Sequence, residues 1–323
     1  MTRTLYIGGT GEISHACVAA SVQQGHEVSV FNRGSKTSSL PESVELLQGD
    51  LRSATPYAVL QDRKFDVVCQ FLAFDTAAVK RDIETFRGRC KQYIFISTAS
   101  AYQKPLRNHV ITEETPLGNP FWEYSRKKAD CESLLADSNL PHTIVRPSHT
   151  YRTRLPGTVI DGDHQAWRIR NGLPIIVHGD GQSLWTLTHA EDFAAAFVQL
   201  CGNPLAVGQT FHITNPQAHS WDSIIAAVGI ALNKLPKVVH VASEKLIQYH
   251  PEWQGPLLGD KSNSVVFDNQ RVIDAIGSWQ CAISLADGLQ RATAFVDERL
   301  EHYTPNPETE ALVNRIVKRE CRL

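Results

Sequence analysis

The chain has 323 residues, 42% of them hydrophobic and 20% charged, with a formal net charge of -2. That composition suits a soluble globular protein and is long enough for one large domain or two that share a cleft. No Lys/Arg block is present, which argues against nucleic acid as the main partner, and no apolar run approaches the ~18–20 residues that span a bilayer.

The first apolar run, Thr4-Leu5-Tyr6-Ile7, predicts a strand over residues 4–7; it is too short for the core of a signal peptide, and the chain reads as cytoplasmic. The glycine-rich Gly8-Gly9-Thr10-Gly11 follows, and residues 14–24 have helical spacing. Further strands are predicted over 27–31, 44–48, 67–71, 93–97 and 143–146, with a helix over 77–87 between the fourth and fifth. These strands are continuous apolar runs, as expected when helices cover both faces. The pattern is a doubly wound parallel α/β sheet of Rossmann type.

After Arg146-Pro147 the pattern changes, and a stretch punctuated by Pro and Gly runs to Gly181. A helix over 189–201 and a strand over 210–214 return to the sheet; then come Trp-rich elements at 220–232, 237–240 and 265–267 and a charged tail that predicts a surface helix. We therefore expect a dinucleotide-binding domain over 1–150 that also receives about 186–214, and a smaller substrate-binding domain from 151–185 and 215–323. Seven scattered cysteines without Cys-x-x-Cys read as reduced packing thiols, and thirteen histidines without His-Glu-x-x-His predict no metal site.

Gly8, Gly9 and Gly11 let the backbone turn sharply against a pyrophosphate. Thr10, Glu12 and Ile13 complete the turn and the first helical residues, whose unpaired N–H groups suit phosphates. Ser14 occupies the usual third-glycine position. Strand two ends in Asn32-Arg33 rather than in an acid. An arginine there pairs with a 2′-phosphate, so NADP(H) is favoured, with NAD(H) the alternative. Asp50, in Gly49-Asp50-Leu51, is a candidate acceptor for the adenine amino group. Leu72 and Ala73, just past strand four, join the cofactor set because ligands bind at strand ends in this architecture.

Tyr124 and Lys128 stand four residues apart, one helical turn on a shared face. A tyrosine titrates near ~10 in water; a neighbouring ammonium favours the phenolate and lowers that value, making an acid/base for a secondary alcohol or ketone. The strand end Ser97-Thr98-Ala99-Ser100 supplies hydroxyls that can hold a substrate oxygen.

The ordered set Gly-Gly-Thr-Gly, Gly-Asp-Leu, the Ser-Thr strand end, Tyr-x-x-x-Lys and Arg-Pro-x-x-x-Tyr resembles the extended short-chain dehydrogenase/reductase family over nearly the whole chain. The resemblance implies a catalytic triad of Thr98, Tyr124 and Lys128, with Ser97 and Ser100 as the other hydroxyls. It also implies that Lys128 contacts the nicotinamide ribose, that Pro147 sits by the carboxamide, and that the protein forms a homodimer. Dehydratases of that family carry Asp-Glu after the threonine; Ala99-Ser100 stands here, which disfavours dehydration. The expected function is epimerisation or oxidoreduction of a sugar or nucleotide-sugar-like small molecule, or reduction of a sugar-derived ketone by NADPH.

Ser100, His149 and Trp185 are candidate substrate contacts. Trp185 stands where diphosphate binders of the family often have an arginine, and a tryptophan offers stacking instead. Arg152, Arg154, Arg168 and Arg271 are the remaining candidate anion ligands, and His164 a further polar contact. Chloroplast stem-loop RNA-binding proteins are similar in Gly-Gly-Thr-Gly and Asn-Arg-Gly, so a non-catalytic RNA-binding or redox-sensing protein is the alternative from another class. The complete triad and the slightly negative charge favour an enzyme.

Overall fold

The structure, a computed structural model, describes residues 1–35 and 39–321. In chain order the elements that build the sheet layer are β1 (Arg3–Ile7), α1 (Glu12–Gln23), β2 (Glu27–Asn32), β3 (Glu45–Gln48), β4 (Phe65–Gln70), α2 (Thr76–Phe86), β5 (Cys90–Ile96), α3 (Glu123–Ala136) and β6 (His142–Pro147). They are followed by α4 (Gly162–Arg170), α5 (Ala190–Leu200), β7 (Thr210–Ile213) and α6 (Trp221–Ala231). The seven strands form one parallel sheet in the order β7-β6-β5-β4-β1-β2-β3.

Alternation along each strand decides which helix covers which face. Tyr6, Val30, Cys69, Ile94 and Val145 point to the side packed by α1 and by Phe193 and Phe197 of α5. Leu5, Ile7, Phe31, Val68, Tyr93 and Phe95 point to the other, beneath Val79, Ile83 and Phe86 of α2 and Cys131 and Leu135 of α3. Strand order reverses between β1 and β4. A crevice opens there at the carboxyl ends of the strands, the place where such sheets take ligands.

Outside the sheet, short segments from the two late parts of the chain pair with each other: Leu184–Trp185 with His219–Ser220, and Ile175–His178 with Val238–Val241. Val110–Ile111 pairs with Val266–Phe267. Trp185, Trp221, Ile224 and Tyr151 share one further buried cluster. Several helices lie outside our sequence expectations, the longest being α4 and the helix Leu285–Leu300. Their start signals were present: Asp161 caps the N–H groups of Asp163 and His164, and Ser284 caps that of Asp287. Flanking Pro and Gly masked α4. The tail helix is Pro307–Glu320, as expected.

Candidate active site

The glycine turn places its backbone at the crevice because bulk is excluded there. Gly8 has φ +81, and a Cβ on it would lie 2.6 Å from Cγ of Leu72; a Cβ on Gly9 would lie 2.8 Å from Cγ1 of Val30. Ser14 takes the third-glycine position without harm, since its hydroxyl accepts from the Gly11 N–H at 3.0 Å. The cleft that results has a volume of about 990 Å³ and runs from Arg33 and Asp50, past the glycine turn, to Tyr124 and Lys128. Gly8, Thr10, Gly11, Glu12, Ile13, Asn32, Arg33, Asp50, Leu51, Leu72, Lys128 and Pro147 all line it.

Two members of the expected cofactor set do not. Gly9 is buried against Val30, so its contribution is close packing of the turn on β2. Ala73 is fully buried, and its carbonyl faces Lys128 rather than the cleft.

Asn32 accepts from the Gly34 N–H at 2.7 Å, while its buried Nδ2 has no partner among the described residues. An unused buried donor at the ribose end, a glycine cradle that a Cβ would fill, and the N-terminus of α1 together fit a dinucleotide. The Asp50 carboxylate is engaged by Arg52 at 2.8 Å, and that hydrogen bond holds it down at about 2. Arg52 also lines the cleft, so two guanidinium groups stand at this end.

At the other end, β5 runs out into Thr98, which caps the short turn Ala99–Ala101. The Thr98 hydroxyl accepts from the Ser100 N–H at 3.2 Å and lies 3.0 Å from Ser100 Oγ, which in turn lies 2.7 Å from Ser125 Oγ. Helix α3 brings Tyr124 and Lys128 to the same cleft as Thr98. Lys128 is 2% exposed; its ammonium donates to the carbonyls of Ala73 (2.8 Å) and Ile96 (2.7 Å) and lies over the rings of Phe74 and Phe95. Burial pushes it down to about 8.

The Tyr124 phenol is raised above its ordinary value, opposite to the direction expected from sequence. Burial is the main cause; the Thr98 hydroxyl lowers it and the Asp260 carboxylate raises it again. The reason is where the ammonium points: the carbonyls of Ala73 and Ile96 hold Lys128, and its charge is not among the influences on the phenol.

A second, smaller pocket of about 290 Å³ opens from the same point and shares Thr98, Tyr124, Pro147, Ser148 and His149 with the cleft. The candidate substrate contacts Ser100 and Trp185 line it, together with Trp122, Asp260, Val265 and Phe267. His149 faces Trp185 edge-on, and burial, aided by the charge of Lys261, pushes its imidazole down to about 4. None of the four candidate arginines lines this pocket. Arg168 pairs with Glu310 at 2.6 Å and Arg271 with Glu114 at 2.5 Å; His164 also binds Glu310, at 2.8 Å, away from the pocket.

Sequence reasoning missed Arg52, Phe74, Trp122, Asp260 and Phe267. For Arg52 and Trp122 a signal existed, two residues beyond Asp50 and two before Tyr124; the others come from segments with no local motif.

The Rossmann sheet and its glycine turn carry over to family. Residues 5–214 match the NAD dependent epimerase/dehydratase family, and the chain belongs to it. Among characterised relatives it is 27% identical over 252 residues to 2'-dehydrokanamycin reductase of Streptomyces kanamyceticus, covering 75% of this chain and 70% of that one. It is 26% identical over 258 residues to the chloroplast stem-loop binding protein of 41 kDa b of Arabidopsis thaliana, covering 74% of this chain and 65% of that one. An epimerase from Methanothermobacter thermautotrophicus has the same fold, with a TM-score of 0.77 at 15% identity and 93% of each chain covered.

Proposed function

We propose that the protein transfers hydride between a nicotinamide dinucleotide, preferentially NADP(H), and a secondary carbinol or ketone of a sugar-derived small molecule. The observation that carries this reading is the junction of the two cavities: Thr98 and Tyr124 line both the dinucleotide-sized cleft and the small pocket. A group in the small pocket therefore meets a phenol and a hydroxyl at the mouth of the cleft. The bound dinucleotide supplies hydride acceptance or donation and, when oxidised, a positive charge that favours phenolate.

In this reading Tyr124 moves the proton of the substrate oxygen, and Thr98, steadied by Ser100 and Ser125, orients that oxygen. Lys128 ties the segment that follows β4 to the end of β5 and offers its remaining proton to the cleft. Arg33 and Arg52 bind the 2′-phosphate. Residues 1–150 with 186–214 act as the dinucleotide-binding domain, and 151–185 with 215–323 as the substrate-binding one.

The reductase relative favours net reduction with cofactor exchange. Epimerisation is the second reading, supported by the family to which the chain belongs. Ala99-Ser100 after Thr98 supplies no acid for elimination, which speaks against dehydration.

The test is Tyr124→Phe. Turnover should fall by about 10²–10⁴-fold while dinucleotide affinity stays within about threefold of wild type, because the phenol acts in proton transfer and not in cofactor binding. Retained turnover would remove Tyr124 as the acid/base. Dinucleotide that co-purifies, with isomers interconverted in the absence of added cofactor, would select the epimerase over the reductase.

A further inference from the structure

The small pocket contains a carboxylate that the hydride chemistry leaves unused. Asp260 sits on the single π-helical turn Leu257–Lys261, a kind of irregularity that recurs at functional sites. The turn is firmly mounted. Asn119, 1% exposed, donates to the carbonyls of Gly259 (2.6 Å) and Ser100 (2.7 Å), tying it to the hydroxyl turn beside Thr98. Lys261 donates to the carbonyls of Gly157 (2.7 Å) and Thr158 (2.6 Å).

Asp260 itself lines the pocket, and neither Lys104 nor Lys261 hydrogen-bonds it; both act on it only as charges at a distance. No donor among the described residues reaches the carboxylate; a desolvated carboxylate left so is costly, and one that faces a cavity is an acceptor waiting for a ligand's donor. Trp122, Trp185 and Phe267 form the apolar walls, and no arginine joins them.

Building on the reading of Tyr124 and Thr98 as the reacting end, we propose that this pocket binds an unphosphorylated pyranoside ring, stacked on a tryptophan and donating a hydroxyl or amino hydrogen bond to Asp260. Aromatic faces suit the C–H face of a sugar ring, and a carboxylate suits its donors. A nucleoside diphosphate would bring its phosphates against Asp260 with no guanidinium to receive them.

The groups facing Asp260 make its charge the variable one near neutrality. Burial holds it up at about 7 against the pull of Lys104 and Lys261. His149, at about 4, is neutral there; Lys261, held by burial at about 8, keeps most of its charge below that; Tyr124 is raised by burial, and the charge of bound NADP⁺ works against that rise. The acceptor therefore strengthens as pH rises through about 7.

The experiment uses the full chain saturated with NADP⁺ and follows tryptophan emission on addition of methyl β-glucopyranoside, glucosamine or UDP. Saturable quenching is expected with the first two and not with UDP at equal concentration. Asp260→Ala should weaken pyranoside binding by at least about tenfold, the loss expected for one hydrogen bond to a charged group. Wild-type affinity should rise between about pH 6 and pH 7.5, and Asp260→Asn, which keeps shape but not charge, should abolish that rise.

Unchanged affinity in Asp260→Ala, binding of UDP as tight as that of the pyranosides, or no saturable pyranoside binding would overturn the proposal. Far-ultraviolet circular dichroism and NADP⁺ affinity serve as the folding check on both variants. Failure of NADP⁺ to bind the wild-type protein would instead overturn the functional reading, so the two failures are separate.

Discussion

Arg33 shows how far a single side chain can be read before the fold is known. The Asn32-Arg33 end of β2 suggested a 2′-phosphate site, and the guanidinium does line the cleft, with Arg52 beside it. Arg52 already pairs with Asp50, so Arg33 is the cation more available to a phosphate. Arg33→Ala should weaken NADPH by about tenfold or more and NADH by less than about threefold, measured by titrating nicotinamide fluorescence. Equal losses would count against the 2′-phosphate assignment. Tyr124 and Lys128 were also legible, because a four-residue spacing on a helix is a local property. The direction of the Tyr124 shift was not. It depends on which carbonyls capture the Lys128 ammonium, and Ala73 and Ile96 lie on other elements.

At the scale of elements, α3 carries Tyr124 and Lys128 on one side and its anchor on the other. Its Glu132 accepts from Arg146 of β6 through Nε (3.0 Å) and Nη2 (2.6 Å), and also from the Ser97 hydroxyl at the end of β5. Both ions are almost fully buried, with side-chain exposures of 7% and 4%. Arg146 also lies over the Tyr102 ring. The pair fixes the helix that carries Tyr124 to β6, and the Ser97 bond ties it to the end of β5 beside Thr98. Glu132→Ala leaves a buried guanidinium without its counter-ion and should cost about 3–5 kcal/mol in urea unfolding. Glu132→Ala with Arg146→Met should recover part of that loss, since no charge is then stranded. A loss below about 1 kcal/mol for the single variant would show that the pair does not anchor α3.

Across the whole molecule, one contact that joins the end of the glycine turn to the later chain is made by Glu12, the first residue of α1. Its carboxylate accepts from the N–H groups of Arg152 (3.0 Å) and Thr153 (2.8 Å) and from the Thr153 hydroxyl. Burial works to raise this carboxyl, but the Thr153 hydrogen bonds and Arg152 outweigh it and hold it below its ordinary value. A carboxyl lowered by folding adds stability above its unfolded value, and that contribution disappears as pH falls through the folded one. Glu12→Gln should therefore lower Tm at pH 7, and the gap to wild type should close as the pH is taken below about 4.5. A gap independent of pH would mean that the contact acts through shape and not through charge.

The sequence by itself determined the sheet, the glycine turn, the Tyr124–Lys128 face and the hydroxyl cluster around Thr98. Each is encoded within a few residues, by alternation, by a required backbone angle or by one helical turn, so it needs no knowledge of distant chain. Tertiary structure alone decided that Gly9 packs instead of lining the cleft, that Arg52 joins Arg33, and that Trp122, Asp260 and Phe267 meet at Tyr124. Apart from Trp122, two residues before Tyr124, those residues belong to segments apart along the chain, and what brings them together is the burial of apolar faces on either side of the sheet, which no local pattern records.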